Sequence, residues 1–257
     1  MNRILVTNDD GVRSEGIHAL ADALKHLGTV TVVAPQTEAS AIGHALTLRR
    51  PLRMERLEDG IYEVDGTPTD CVNIGITQLY KPHGVMPDLI VSGINKGYNL
   101  GDDVTYSGTV AGALEGALLG IPSIAVSLQR SNGTYDFSGA ASASARVAAS
   151  VLPQGLAPRT FLNINVPAGQ PKGLRVTFQA KRNHITVVSE RFDPRERPYY
   201  WIGEGQDDWE PHDRSDYQAV KDGYVSVTPL QLDLTAYDEL PRIASMLAVL
   251  TTQPSDS

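Results

Sequence analysis

The sequence predicts an α/β fold: a three-layer, Rossmann-like core with a mostly parallel sheet, plus an extended C-terminal β arm and a terminal helix. Short apolar runs at residues 4–6 and 89–91 have the composition of strands buried on both faces. Segments of helical periodicity alternate with these runs, which is the pattern of a parallel sheet covered by helices. After about residue 180 the sequence becomes rich in charged and aromatic residues, which predicts the arm.

The predicted elements follow one another along the chain. A strand at residues 4–6, a helix at 16–26 and a strand at 30–34 form a β-α-β unit, which implies parallel pairing with a right-handed crossover. Residues 48–64 alternate apolar and charged side chains and predict a hairpin that turns near 58–60. The other expected elements are a helix beginning at Pro68, a strand at 89–91, a helix beginning near Gly108, a strand at 121–126, a helix at 140–152, a strand at 225–234 and a helix at 241–250.

We expect a single domain over residues 1–257, with a core to about 180, an arm and strand region at 181–240, and a C-terminal helix and tail at 241–257. The formal net charge of -8 disfavours a binding face for duplex nucleic acid. Cys71 is the only cysteine, so no disulfide can form within the chain. No apolar stretch has the length of a signal peptide core or a membrane span, so we expect a cytoplasmic protein without a membrane partner.

Asp9 and Asp10 directly follow the first predicted strand, at the carboxyl edge where open α/β sheets place their ligands. Two adjacent carboxylates repel each other unless a positive charge lies between them. Mg²⁺ and Mn²⁺ prefer such oxygen ligands, so the pair is a candidate metal site. An Asx-rich turn at residues 8–11 explains the same residues without a ligand, and this alternative stays open.

Two later loops should reach the same edge of the sheet. Asn95 and Lys96 follow another predicted strand, where the Asn95 amide oxygen can ligate a metal and Lys96 is a local positive charge. Ser107, Gly108 and Thr109 open a predicted helix, whose free N–H groups and dipole can bind a phosphate. A glycine-rich surface loop and a plain helix cap are the corresponding alternatives.

The loop after the second strand offers Ser40 as a further oxygen ligand, and His44 as either a proton donor or a structural histidine. No pair of histidines has zinc spacing, and a single cysteine excludes a cysteine-rich zinc site. The first loop lacks the glycines of a dinucleotide-binding fingerprint, and the chain has no P-loop. Asn8 stands where a haloacid-dehalogenase-type phosphatase needs its nucleophilic aspartate, so the spacing of that class fails as well.

Taken together, these motifs resemble the SurE family, the survival-protein nucleotidases. The matching stretches span nearly the whole chain, at residues 4–11, 66–72, 92–97, 106–110, 199–203 and 223–230. The resemblance implies a C-terminal part used in subunit exchange, hence a homodimer or homotetramer. It also implies one divalent ion per subunit, Mg²⁺ or Mn²⁺, with the family's ligands falling on Asp9, Asp10, Ser40 and Asn95.

The expected function is that of a divalent-metal-dependent phosphomonoester hydrolase, a 5′/3′-nucleotidase that releases phosphate from small-molecule nucleoside monophosphates. The nucleophile is either a water activated by the ion or an aspartate. A non-catalytic nucleotide- or metal-sensing module is the alternative, and the aromatic cluster at 199–201 predicts an oligomerisation surface. The expected catalytic residues are Asp9, Asp10 and Asn95, and the expected phosphate-binding residues are Asn8, Lys96, Ser107, Gly108 and Thr109.

Overall fold

The computed structural model describes residues 1–183, 186–204 and 208–248 of the chain. Its strands are β1 (Asn2–Thr7), β2 (Gly28–Pro35), β3 (Met54–Glu58), β4 (Ile61–Val64), β5 (Leu89–Lys96), β6 (Ser123–Leu128), β7 (Thr160–Val166), β8 (Leu174–Val176), β9 (Arg182–Asn183), β10 (Thr186–Phe192), β11 (Pro198–Glu204), β12 (Asp208–Trp209) and β13 (Val225–Gln231). Its α-helices are α1 (Glu15–Leu24), α2 (Pro68–Gly75), α3 (Gly108–Leu118), α4 (Phe137–Gln154), α5 (Asp216–Lys221) and α6 (Leu240–Ala248).

The central sheet has nine strands in the order β3-β4-β2-β1-β5-β6-β7-β13-β8. Neighbouring strands within this sheet are parallel, except for the pairs β3–β4 and β7–β13, which are antiparallel. Ile4 and Val6 of β1 pack into one hydrophobic cluster with α1 and α4, whereas Leu5 packs on the opposite face with α2. Burying each such side chain contributes about 1.5–3 kcal/mol. The predicted three-layer α/β fold with a mostly parallel sheet is therefore confirmed.

Some elements differ from the sequence prediction. The hairpin begins at Met54, later than predicted, and β7 is not among the predicted elements. Asn163 and Asn165 interrupt the apolar pattern of β7, yet both are fully buried. Their side-chain amides donate to the Asn99 carbonyl at 2.8 and 3.0 Å, so they satisfy the backbone of the loop after β5. The last helix is described to Ala248, and its predicted continuation to residue 250, like the polar tail, lies outside the described residues.

The C-terminal part contains an exposed hairpin and then returns to the core. β10 and β11 pair antiparallel as a separate two-stranded sheet, which is the predicted β arm. The chain then re-enters the main sheet, where β13 lies between β7 and β8. The assignment of one domain with a boundary near residue 180 stays a prediction. Over the three described ranges, no helix has the length and apolar character needed to cross a bilayer.

Candidate active site

Parallel pairing of β1 and β5 brings two of the predicted loops together. Thr7 pairs with Ser92, so the loop after β1 leaves the sheet beside the end of β5. The backbone N–H of Lys96 donates to Oδ2 of Asp10 at 3.3 Å. The carboxylate pair and the end of β5 therefore meet at the carboxyl edge of the sheet, where parallel strands place ligand-binding groups.

Asp9 is buried against the first turn of α3. The hydroxyl of Thr109 donates to its Oδ1 atom, and a Cβ atom added to Gly108 would lie 2.9 Å from its Oδ2 atom. That distance is too short for a real side chain, so glycine is what lets the helix approach Asp9 this closely. Burial, reinforced by the charge of Asp10 and opposed by the Thr109 hydrogen bond, raises the pKa of Asp9 from 3.8 to about 6.

Asp10 is half-buried, and charges of both signs act on it. Burial raises the pKa of its carboxyl, the charge and backbone N–H of Lys96 lower it, and the charge of Glu38 raises it, with a net rise. Two carboxylates that are both costly to ionise thus lie side by side at the sheet edge. A divalent cation would offset this cost, so the chemistry of the pair fits a hard metal ion.

Ser40 lies on a loop whose backbone is hydrogen-bonded to the backbone of Asp9. We call residues 36–47 the Ser40 loop. The N–H of Ala39 donates to the carbonyl of Asp9 at 2.8 Å, which holds the loop beside the pair. The Ser40 side chain is exposed, and its hydroxyl donates to Oε1 of Glu38 at 2.6 Å. The lone pairs of the hydroxyl oxygen are therefore what Ser40 can offer to a cation.

Asn95 lies near the end of β5, directly after an irregularity in that strand. The register of β5 against β6 shifts between Ser92 and Asn95, and such irregularities re-aim the side chains that follow them. A Cβ atom added to Gly93 would lie 2.4 Å from the carbonyl oxygen of Val126, so the irregularity requires glycine there. The side-chain amide nitrogen of Asn95 donates to the Gly97 carbonyl at 3.1 Å, which leaves the amide oxygen to accept or to ligate.

The predicted ligand set combines two carboxylates with one hydroxyl and one amide. In the part of the chain that the structure describes, no group of three or more His, Cys, Asp or Glu side chains could hold a metal ion. An ion bound by Asp9, Asp10, Ser40 and Asn95 would have two carboxylate ligands, and its other two ligands would be the neutral oxygens of Ser40 and Asn95. Mg²⁺, Mn²⁺ and Ca²⁺ accept such mixed oxygen ligands, so the residues present fit the implied ion.

The sequence predicts that Asn8 contacts the phosphate, whereas the structure shows its side chain inside the protein. Its side chain is fully buried, with the amide donating to the Gly11 carbonyl at 3.0 Å and to the Ser14 hydroxyl at 2.8 Å. Both amide hydrogens are thereby used inside the loop that carries the two aspartates. Asn8 shapes that loop and presents no exposed atom to a ligand.

The hydroxyls of Ser107 and Thr109 are also engaged inside the protein. Ser107 caps α3 by accepting a hydrogen bond from the N–H of Val110 at 3.1 Å, and Thr109 donates to Asp9. The sequence predicts both hydroxyls as phosphate donors. Thr109 uses its hydroxyl hydrogen on Asp9, whereas Ser107 only accepts the cap bond and keeps its hydroxyl hydrogen for another acceptor. The first turn of α3 can therefore direct at an anion its positive dipole end, the backbone at Gly108 and the Ser107 hydroxyl.

A cleft of about 720 Å³ extends from the end of β5 to the C-terminal part of the chain. Asn95 and Lys96 from β5 line it, together with Trp209 and Tyr217 from the C-terminal part. Buried Asp216 ties this region to the core, because its carboxylate accepts hydrogen bonds from the N–H of Gly101 at 3.1 Å and from that of Ala180 at 2.9 Å. No local sequence pattern assigns a role to these C-terminal residues, since only the fold brings Trp209 and Tyr217 to the cleft.

Of the two roles predicted for His44, proton donor and structural histidine, its contacts favour the structural one. Its Nε2 atom contacts a carboxylate oxygen of Glu115 on α3, and the other oxygen accepts from the side chain of Asn73 on α2. Burial tends to raise the pKa of Glu115, but the hydrogen bonds from His44 and Asn73 and the charge of His44 outweigh it, so the pKa is lowered. These contacts fix the end of the Ser40 loop to two helices.

Known proteins are similar to this chain over nearly its whole length. The family model described as "Survival protein SurE" matches residues 4–186. A protein of Pelobacter propionicus named "5'-nucleotidase SurE" is 54% identical over 251 residues, which are 96% of this chain and 98% of the relative. A Thermus thermophilus protein named "5'-nucleotidase SurE 1" is 50% identical over 251 residues, 95% of this chain and 98% of the relative. The crystal structure of the SurE protein from Aquifex aeolicus superposes with a TM-score of 0.84 at 45% identity, covering 95% of this chain and 99% of that one.

Proposed function

This chain belongs to the SurE family, and from that premise we propose that it is a divalent-metal-dependent 5′/3′-nucleotidase, which hydrolyses nucleoside monophosphates to nucleoside and phosphate. The observation that carries the proposal is the position of Asp9, buried beside Asp10 and against the first turn of α3. The proposal is supported because groups that can ligate a cation lie next to a helix terminus that can attract an anion. The names of the relatives, each called a 5′-nucleotidase, support the same activity.

We propose that Asp9, Asp10, Ser40 and Asn95 hold one Mg²⁺ or Mn²⁺ ion per subunit. Such an ion, when bound, would supply Lewis-acid polarisation of the phosphate and activation of the attacking water. Lys96 contributes positive charge to the cleft, and the N-terminus of α3 at Gly108 orients the phosphate. Thr109 fixes Asp9 in place, and Asn8 fixes the loop that carries it.

The test is release of inorganic phosphate from AMP with Mn²⁺, measured with and without chelator. We expect activity that the chelator abolishes and that Asp9→Asn lowers by about 100-fold or more, because the variant loses a charged ligand. Asp59→Asn is the matched control, since Asp59 is fully solvent-exposed in the β3–β4 turn. Turnover close to that of the wild type in Asp9→Asn would reject the assignment.

The alternative of a nucleotide- or metal-sensing module without turnover is not favoured, because the relatives are named as enzymes over nearly the full chain. The same assay separates the two functions. Binding of AMP in the presence of Mn²⁺, without any release of phosphate, is what a sensor would give.

We also propose a homodimer or homotetramer in the cytoplasm, with the β10–β11 hairpin as a contact surface. Val188 and Ile202 pair across the hairpin and are 58% and 79% exposed. Exposed apolar groups of this kind are typical of interaction sites. The double variant Val188→Ser with Ile202→Ser should lower the mass in solution if the hairpin joins subunits. A mass equal to that of the wild type would exclude this surface.

A further inference from the structure

The cleft that Lys96 lines is also lined by a pair of stacked aromatic rings. The ring centroids of Trp209 and Tyr217 lie 4.4 Å apart with an angle of 8° between the ring planes. Both residues line the cleft that Asn95 and Lys96 also line, and both are only partly buried. One cavity is therefore lined both by Lys96, whose backbone N–H contacts Asp10, and by the aromatic pair, which Lys221 also borders at 5.6 Å from the Tyr217 ring.

The aromatic pair is anchored to the rest of the protein from several sides. Trp209 belongs to β12, which pairs with β9, and its six-membered ring packs closely against Gly101. Tyr217 is the second residue of α5 and directly follows Asp216, whose carboxylate is bonded to Gly101 and Ala180. The two rings are thus a preorganised wall of the cleft, since these contacts fix their backbone positions.

We propose that Trp209 and Tyr217 form the contact surface for the nucleobase of the substrate. This inference rests on the proposed nucleotidase function and adds the part of the site that recognises the nucleoside. When the phosphate of a nucleoside monophosphate is held beside Lys96, the part of the molecule left to contact the rest of the cleft includes a planar aromatic base. Aromatic side chains bind such bases through their π faces and edges without reading the base-pairing groups. The wall therefore favours nucleotides over aliphatic phosphate esters and accepts more than one base.

The experiment compares two substrates in the full-length protein with Mn²⁺: AMP, and glycerol 2-phosphate, which has no aromatic group. For Trp209→Leu and Tyr217→Leu we expect kcat/KM for AMP to fall by about tenfold, mainly through KM, because base stacking is lost. The value for glycerol 2-phosphate should stay within about twofold of the wild type. Tyr237→Leu is the matched control, since Tyr237 is exposed and does not line the cleft, and this variant should keep AMP turnover.

Equal losses on both substrates would overturn the proposal, because they would mean that the wall only supports the fold. Unchanged AMP kinetics in both Trp209→Leu and Tyr217→Leu would overturn it as well. A wild-type protein that hydrolyses neither substrate would instead contradict the proposed function, so the two failures can be told apart.

A second measurement needs no variant. In the wild type, adenosine should inhibit glycerol 2-phosphate hydrolysis competitively, at a concentration about tenfold lower than ribose requires, because only adenosine carries a base. Equal inhibition by the two compounds would refute a base-contacting wall even if the leucine variants failed to fold.

Discussion

The Nε2 atom of His44 lies 2.7 Å from Oε2 of Glu115, and this contact joins the Ser40 loop to the helix that begins at Gly108. On the neighbouring helix, Asn73 donates to the second oxygen of Glu115 at 2.7 Å. One carboxylate thus connects a proposed metal-binding loop with both helices on the same side of the sheet. Ser40 itself is exposed, so its position depends on such anchors at the ends of its loop.

Removing this carboxylate should loosen the loop and weaken metal binding. In Glu115→Ala, His44 and Asn73 lose their partner, and we expect unfolding free energy to fall by about 1–3 kcal/mol. The Mn²⁺ concentration that gives half-maximal activity should rise several-fold. Urea unfolding and a Mn²⁺ titration measure the two effects. Glu55→Ala on exposed β3 is the control, and equal behaviour of both variants would contradict the anchoring role.

The carboxylate of Glu115 should make the free energy of unfolding depend on pH in the acid range. The pKa of Glu115 in the folded protein lies below its ordinary value of 4.5. Because the pKa of Glu115 is lower in the folded protein, the unfolded state binds the proton more tightly. The contribution of Glu115 to the free energy of unfolding is therefore fully present above pH 4.5. It is lost as the pH falls through the pKa of the folded protein. Urea unfolding at pH 6 and at pH values below 4.5 should show a smaller acid loss for Glu115→Gln than for the wild type. Equal acid losses would show that Glu115 is not the responsible group.

The hydrogen bond from Thr109 should keep Asp9 ionisable near neutral pH. Thr109→Val removes this bond while keeping the side-chain shape, so the pKa of Asp9 should rise further above its present value of about 6. Because a metal ligand must lose its proton, Mn²⁺ affinity at pH 7 should fall, and the fall should be greater at pH 6. Thr109→Ser, which retains a hydroxyl, is the control. Identical affinities for the valine and serine variants at both pH values would contradict this role.

The close approach of α3 to Asp9 should tolerate no side chain at residue 108. In Gly108→Ala the added Cβ would lie 2.8 Å from Cβ of Asp9, so the helix or the carboxylate must move. We expect kcat/KM for AMP to fall by about tenfold or more, since misplacement of a positioned group by about 1 Å can cost that much. Gly139→Ala in α4 has ordinary contacts of 3.7 Å or longer and is the control. Full activity of Gly108→Ala would contradict the packing argument.

The parts of the site that the sequence predicts are those set by local pattern. Asp9 and Asn95 follow apolar runs, and parallel strands bring the ends of such runs to one edge. The orientation of Thr109 cannot be read in this way, because its partner Asp9 is 100 residues away. A hydroxyl near a helix start predicts a ligand contact and a structural contact equally well.

The elements that the sequence does not predict depend on long-range packing. β7 is buried in the sheet but carries Asn163 and Asn165, whose polarity is explained only by the carbonyl of Asn99. Trp209 stands in a polar segment where nothing local indicates a partner, and its stacking on Tyr217 requires β12 and α5 to be in place. Periodicity detects a buried face, but it does not detect a polar group that is buried to serve another loop.

The bonds that Asp216 makes to Gly101 and Ala180 have a consequence for the order in which the molecule is completed. During translation, the aspartate pair, the Ser40 loop and the start of α3 are synthesised long before Trp209. A nascent chain that has not reached residue 208 could assemble the proposed cation site while the aromatic wall of the cleft was still unsynthesised. The proposed cation site should therefore be complete earlier during translation than the proposed contact surface for the base.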